Sequence, residues 1–207
     1  MYNSTNPKKG EILESLNEYK DKVQAIANTA LAMFHKELFG IFHGSISLKL
    51  DANKFIINTK EAIFDRLDEE SMALLHMQKD YRWNGTSPDV EVHHGIYNNI
   101  HEAKCICYAM PPFTIAYSLD HDTLDPQDYF GKMNLPHFDI YDPKNFDDWD
   151  ARAPFEIFRY MVENKTDIMI IKGYGVYAHA RTLNWLAKKV ALLENSCKIS
   201  AYRNGQK

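Results

Sequence analysis

The stretch CICYAMPP, residues 105–112, decides how the rest of the chain is read. It is apolar and short, follows the polar Glu102 and Lys104, and ends at a proline pair. Such a run predicts a strand covered on both faces. Side chains alternate along a strand, so Ile106, Tyr108 and Met110 share one face while Cys105, Cys107 and Ala109 share the other. A strand of this kind delivers side chains to a site and then stops. Whether it delivers metal ligands or only more core determines whether the chain is expected to be an enzyme.

Working outward, the flanking segments supply a sheet and its helices. GSISLKL, residues 44–50, alternates Ile46, Leu48 and Leu50 against Ser45, Ser47 and Lys49; the turn DANK then leads into FIIN, which predicts a hairpin. DIMIIKGYGVYAHA, residues 167–180, predicts two strands, or one bent strand, around Gly173 and Gly175. Helical spacing runs through residues 11–39, with Gly40 beyond the end, and through 89–100, 113–119, 154–164 with Pro154 at the start, and 182–199. Asp68 followed by MALLHM suggests a capped short helix or a turn into another strand, and QKDYRWNGTSP is a loop. Residues 122–150 are acidic, aromatic and without a clean period; their aromatics predict an ordered excursion rather than disorder.

Bulk properties narrow the classes. With 207 residues, 45% hydrophobic, the chain can bury a sizeable core, and one α/β domain over 1–207 is expected. A net charge of −4 with scattered basic residues gives no general attraction to nucleic acid or anionic membranes. Three cysteines form no even framework, which fits reduced thiols in a cytoplasmic setting. No apolar run approaches the ~18 residues of a membrane span, and the first residues carry no apolar leader, so neither membrane insertion nor export is expected.

The order of long helix, GSIS hairpin, polar loop, SPDVEVHHGIY helix, CICYAMP strand, IIKGYGV strand and TLNWLAKKVALLE helix resembles the class II aldolase/adducin family over roughly residues 20–200. The resemblance implies a three-layer α/β/α fold with a central, mainly antiparallel sheet. Members carry G-N-x-S, T-P-S-G and S-S-E turns, then H-x-H-P and N-H-G. Here GSIS keeps the glycine and last serine, SPD at 87–89 keeps a serine and an acidic residue, and His93 and Tyr97 keep their spacing after Asp89. The family's metal histidines fall on Tyr108, Met110 and Tyr174. A phenol and a thioether replace imidazoles poorly on zinc. Without zinc, an enediolate's charge has no Lewis acid. The phosphate turn falls on Asn58, Thr59, Lys60 and Glu61, and the second serine of the pair has become Pro88, which removes an amide hydrogen and a hydroxyl. The resemblance leaves Asp89 as candidate general base and Ser45, Ser47, Ser87 and Lys60 as candidate ligand-binding residues. A tyrosine donated from a neighbouring subunit would lie near Tyr117 or Tyr129.

Several residues carry two readings. His93 and His94, beside Asp89 and Glu91, can join Tyr108 in a rebuilt metal site or simply pack. Cys105 and Cys107 can be soft ligands or buried core. His179 is expected at a rim or interface, Met110 and Met133 in gaps of the core, and the acidic cluster at 142–150 in a solvated loop. The leading expectation is a member with a degenerate metal and phosphate site and no cofactor, binding a small molecule or a partner in the old cleft as a cytoplasmic homo-oligomer of tetramer type. The alternative is an active sugar-phosphate lyase or epimerase using Asp89 and zinc on displaced ligands. A third is a structural subunit that assembles with an active paralogue.

Overall fold

The structure is a computed structural model that describes residues 16–205. The predicted hairpin is β1 (Ser45–Lys49) and β2 (Lys54–Asn58), and MALLH continues as β3 (Met72–His76), led in by Asp68, whose carboxylate accepts from the Ser71 amide and hydroxyl. The opening stretch forms β4 (Cys105–Ala109), buried along its whole length. The segment around the two late glycines folds into a second hairpin, β7 (Ile168–Ile171) and β8 (Gly175–Ala180). These strands make one antiparallel sheet in the order β3-β2-β1-β4-β8-β7, with β4 near its middle.

Alternation along the strands divides the core between two faces. Ile46, Ile56, Cys105, Cys107, Val176 and Ala178 pack against α1 (Lys20–Phe34) and α6 (Leu183–Asn204), through Ile26, Met33, Leu186 and Leu193. Phe55, Ile57, Ile106, Tyr108 and Tyr177 pack against α2 (Val90–Asn99) and α5 (Trp149–Glu163), through Val92, Ile96, Ile157 and Met161. The result is the expected three-layer α/β/α architecture, and the expected division of the residues of CICYA between the two faces is observed.

The ordered excursion holds β5 (Thr123–Leu124) paired with β6 (Phe138–Asp139), and α4 (Tyr129–Asn134) between them. Its Tyr141 bridges to Ile171, with the Tyr141 amide donating to Ile170 O at 2.9 Å, and so covers the β7 edge that would otherwise present unpaired groups. The helix at 113–119 is α3 (Pro112–Asp120), starting on the second proline. Pro111 offers no capping side chain, so buried Glu194 of α6 accepts from the Phe113 and Thr114 amides and the Thr114 hydroxyl at 2.8–2.9 Å.

Four expectations need correction. The first helix stops at Phe34 rather than near Gly40, because Glu37 turns to φ 59° and the Leu38 amide closes on Met33 O, sending Leu38 and Phe39 into the core. The part of that helix expected before residue 16 lies outside the described residues. Pro154 does not open its helix; α5 begins at the buried Trp149, and Pro154 sits inside it. Its carbonyl faces Gly95 of α2, where a Cβ would lie only 2.8 Å away, so glycine there lets the two helices approach. Met133 is exposed rather than a filler of the core, on the outer side of α4. His179 is buried, 6% exposed, because its place in β8 puts it on the same face as Tyr177.

Candidate functional site

The site grows from register. Ser45 of β1 lies opposite Tyr108 of β4, which lies opposite Tyr177 of β8, so these side chains form one row across one face. Above that row stands the start of α2. The Ser87 amide donates to Asn58 O at 2.9 Å, and Ser87 Oγ accepts from the Asp89 amide at 3.3 Å. Asp89 occupies the N-cap position without capping the helix with its own side chain. Its carboxylate turns to the sheet instead, where the Tyr177 hydroxyl donates to Oδ1 at 2.6 Å. Burial raises the Asp89 carboxyl above the ordinary carboxylate value; the Tyr177 and Ser45 hydroxyls work against that, and Asp150 adds to it. A carboxyl so placed can hold or release a proton nearer neutrality than an exposed aspartate.

The three positions that the resemblance assigns to a metal are brought together. The Tyr108 hydroxyl donates to Tyr174 O at 3.0 Å, and the Tyr108 ring lies 5.1 Å from that of Tyr174 and stacks at 4.9 Å on Tyr177. Gly175, at φ 155°, makes this possible: a Cβ there would stand 2.6 Å from Tyr108 Cε2 and 2.7 Å from Ala109 O. Tyr174 also stacks on Phe146 at 5.6 Å and meets the edge of Trp149. Met110 is half-buried and packs on the same cluster.

Zinc takes thiolate, imidazole and carboxylate donors. Burial pushes the Tyr108, Tyr174 and Tyr177 phenols up, which keeps them protonated, and the hydroxyl of Tyr108 is committed to a backbone carbonyl. Among the described residues no group of three or more His, Cys, Asp or Glu side chains gathers as a metal site. The donors at the inherited positions therefore do not fit zinc. The rebuilt alternative does not assemble either. His93 is held between Ser45 Oγ, 2.8 Å from Nε2, and Ser47 Oγ, 2.6 Å from Nδ1, so both ring nitrogens are engaged. Burial lowers His93 to about 3, leaving it neutral, and the Ser47 hydroxyl passes the chain on to Tyr97 at 2.7 Å. His94 faces elsewhere, edge-on to Trp83 at 4.9 Å and within 2.8 Å of Asn98 Nδ2.

The candidate ligand-binding residues divide. Ser45, Ser47 and Ser87 are buried, and their hydroxyls are committed to His93, Tyr97 and the Asp89 amide. Lys60 is exposed beside Glu61. At the turn and serine pair that the resemblance assigns to phosphate, the amides of Thr59, Lys60 and Ser87 already donate to Ser71, Gly85 and Asn58 carbonyls, and Asn58 Oδ1 accepts from the Ile46 amide at 2.8 Å. Tyr129 is exposed and Tyr117 stacks on His121. The sequence reading missed Tyr177, Trp149 and Phe146. Alternation in GVYAHA could have placed Tyr177 on a sheet face; nothing local linked Phe146 or Trp149 to Tyr174.

The family described as Class II Aldolase and Adducin N-terminal domain matches residues 24–201. Among solved structures, L-fuculose-1-phosphate aldolase from Thermus thermophilus superposes with a TM-score of 0.79 at 19% identity, covering 89% of this chain and 96% of that one. YgbL, a putative aldolase/epimerase/decarboxylase from Escherichia coli, gives 0.73 at 14% identity, with 87% and 88% covered. The N-terminal class II aldolase domain of a conserved protein from Thermoplasma acidophilum gives 0.65 at 10% identity, with 97% and 99% covered. At these identities the likeness is one of fold. No curated protein sequence matches the chain.

Proposed function

The chain belongs to the class II aldolase and adducin family, and we propose that it is a member whose centre no longer works through zinc and instead binds a small ligand, or a partner, in the inherited cleft. The observation that carries this reading is the Asp89–Tyr177 hydrogen bond: the carboxylate beside the metal positions is engaged by a phenol, next to Tyr108, Met110 and Tyr174. No cofactor is needed for such a role. Metal analysis of protein purified without chelator, followed by zinc titration in a calorimeter, tests it. Weak or absent zinc uptake that is unchanged in Asp89→Ala is expected; stoichiometric zinc lost in that variant overturns the reading.

A second reading is favoured by the raised carboxyl of Asp89. In it the chain is a sugar-phosphate lyase or epimerase with Asp89 as base, and cleavage of L-fuculose 1-phosphate, the compound named for three structural relatives, is the first assay. Activity abolished by Asp89→Ala supports it. In either reading we place the chain in the cytoplasm as one domain in a homo-oligomer. Among the described residues no helix is long and apolar enough to cross a membrane. Exposed Tyr129, Phe130 and Met133 on α4 provide apolar surface for self-association, and light scattering measures it.

A further inference from the structure

The opposite end of the sheet carries a different chemistry, which does not depend on the reading of the Asp89 centre. A cavity of about 630 Å³ opens there between the end of α2, the end of α5, the residues after α4 and the first turns of α6, and a second of about 430 Å³ shares its wall. Lys189 lines both. It is an unusual lysine, 8% exposed, projecting from the buried side of α6 and paired with the Asp167 carboxylate. His179 lines the same wall, 6% exposed, and its Nδ1 has no hydrogen-bond partner. Lys165 adds a second cation, and Ile100, Leu135 and Pro136 add apolar surface.

We propose that this cavity takes a small α-keto acid and that Lys189 forms an imine with its carbonyl carbon. A buried primary amine beside a carboxylate has what that step needs: a nucleophile desolvated by its surroundings and an adjacent group to move protons. Asp167 takes a proton from the Lys189 ammonium, and the freed Nζ lone pair attacks the carbonyl carbon. The C–N bond forms as the carbonyl π pair moves to oxygen, which receives the proton back. A second proton passes from nitrogen through Asp167 to the carbinolamine hydroxyl, which leaves as water. The ammonium thereby gives two hydrogens to the departing water and keeps one on the iminium; no oxidant or reductant is involved. The carboxylate of the acid is matched to Lys165, and its tail to the apolar wall. Burial pulls the Lys189 ammonium down, to about 8, while the nearby Cys105 thiol works the other way.

Borohydride trapping tests the proposal. The full chain is incubated with pyruvate, reduced with sodium borohydride and mapped by peptide mass spectrometry. The adduct is expected on Lys189, favoured over the exposed Lys188 by roughly tenfold or more, since each unit of lowered pKa raises the neutral-amine fraction about tenfold. Lys189→Arg preserves a cation for Asp167 and cannot form the imine, so the adduct should vanish from that peptide while thermal unfolding is retained. Should that variant fail to fold, the map of the unmodified protein still decides. Adducts spread over exposed lysines with Lys189 untouched overturn the proposal, as does a preference unaffected by Asp167→Asn.

Discussion

His93 and His179 are both buried and both kept neutral, yet they stand at differently finished ends of one sheet. His93, against the row of Ser45, Tyr108 and Tyr177, has each ring nitrogen within hydrogen-bond distance of a serine. His179, one strand step beyond Tyr177 on the same face, keeps Nδ1 unpartnered and lines a cavity. Buried polar groups without partners are uncommon in folded proteins. The first end spends its hydroxyls and the His93 imidazole on one another, and leaves the indole Nε1 of Trp149, against Tyr174, without a partner. At the second end the unpartnered atom is an imidazole nitrogen, in a wall that also holds a lysine and a carboxylate.

Acid should break the contrast most strongly. The unfolded chain binds a proton at each histidine near pH 6.5, whereas His93 in the fold resists it down to about 3 and His179 to about 4. The unfolded state therefore gains protons through that window and stability falls as pH falls. At about 1.4 kcal/mol per unit, His93 accounts for roughly 4 kcal/mol between pH 7 and 3. Urea denaturation across pH should show His93→Gln losing about one proton's worth of this slope, and His179→Gln somewhat less.

Gly175→Ala is the next largest. A methyl group pressed between the Tyr108 ring and Ala109 O, on backbone at positive φ, is expected to cost about 2–4 kcal/mol at pH 7 by chemical denaturation. At the far end, Asp167→Asn leaves the Lys189 ammonium buried without its ionic partner. Because the Asp167 side chain is 39% exposed, the expected loss is reduced to about 1–2 kcal/mol, and high salt should change it little.

Tyr177→Phe is the smallest, about 1 kcal/mol. Its hydrogen bond favours the ionised carboxylate, so the loss should be full where Asp89 is charged and fade as pH falls through the folded value of Asp89, which burial sets above the ordinary one. A loss that grows on acidification would mean that Tyr177 supports the neutral acid instead.

Much of this architecture was legible because period and spacing report burial directly. The alternation in SISLK and the apolar run in CICYA give strands and faces, and the helices at 89–100 and 182–199 follow from apolar spacing. Boundaries set by backbone conformation were hidden: nothing in AMFHKELFG announces that Glu37 adopts positive φ, and Asp148 with buried Trp149 opens α5 ahead of a proline that looks like a start. At the candidate site, spacing placed Tyr108, Met110 and Tyr174 together. It could not show that Tyr177 reaches Asp89, since that contact joins residues 88 apart and exists only once β8 pairs with β4. The far cavity left no local signal, because Asp167 and Lys189 meet only through packing of α6 on β8 and β4.

The carboxylate that closes the first turn of α3 has a consequence for how the chain comes together. Glu194 is separated from Phe113 by 81 positions, and emerges from the ribosome long after the turn it must secure. Until the C-terminal helix docks, the Phe113 and Thr114 amides lack that acceptor, so α3 should consolidate late in folding, in step with the last helix rather than with the strand that precedes it.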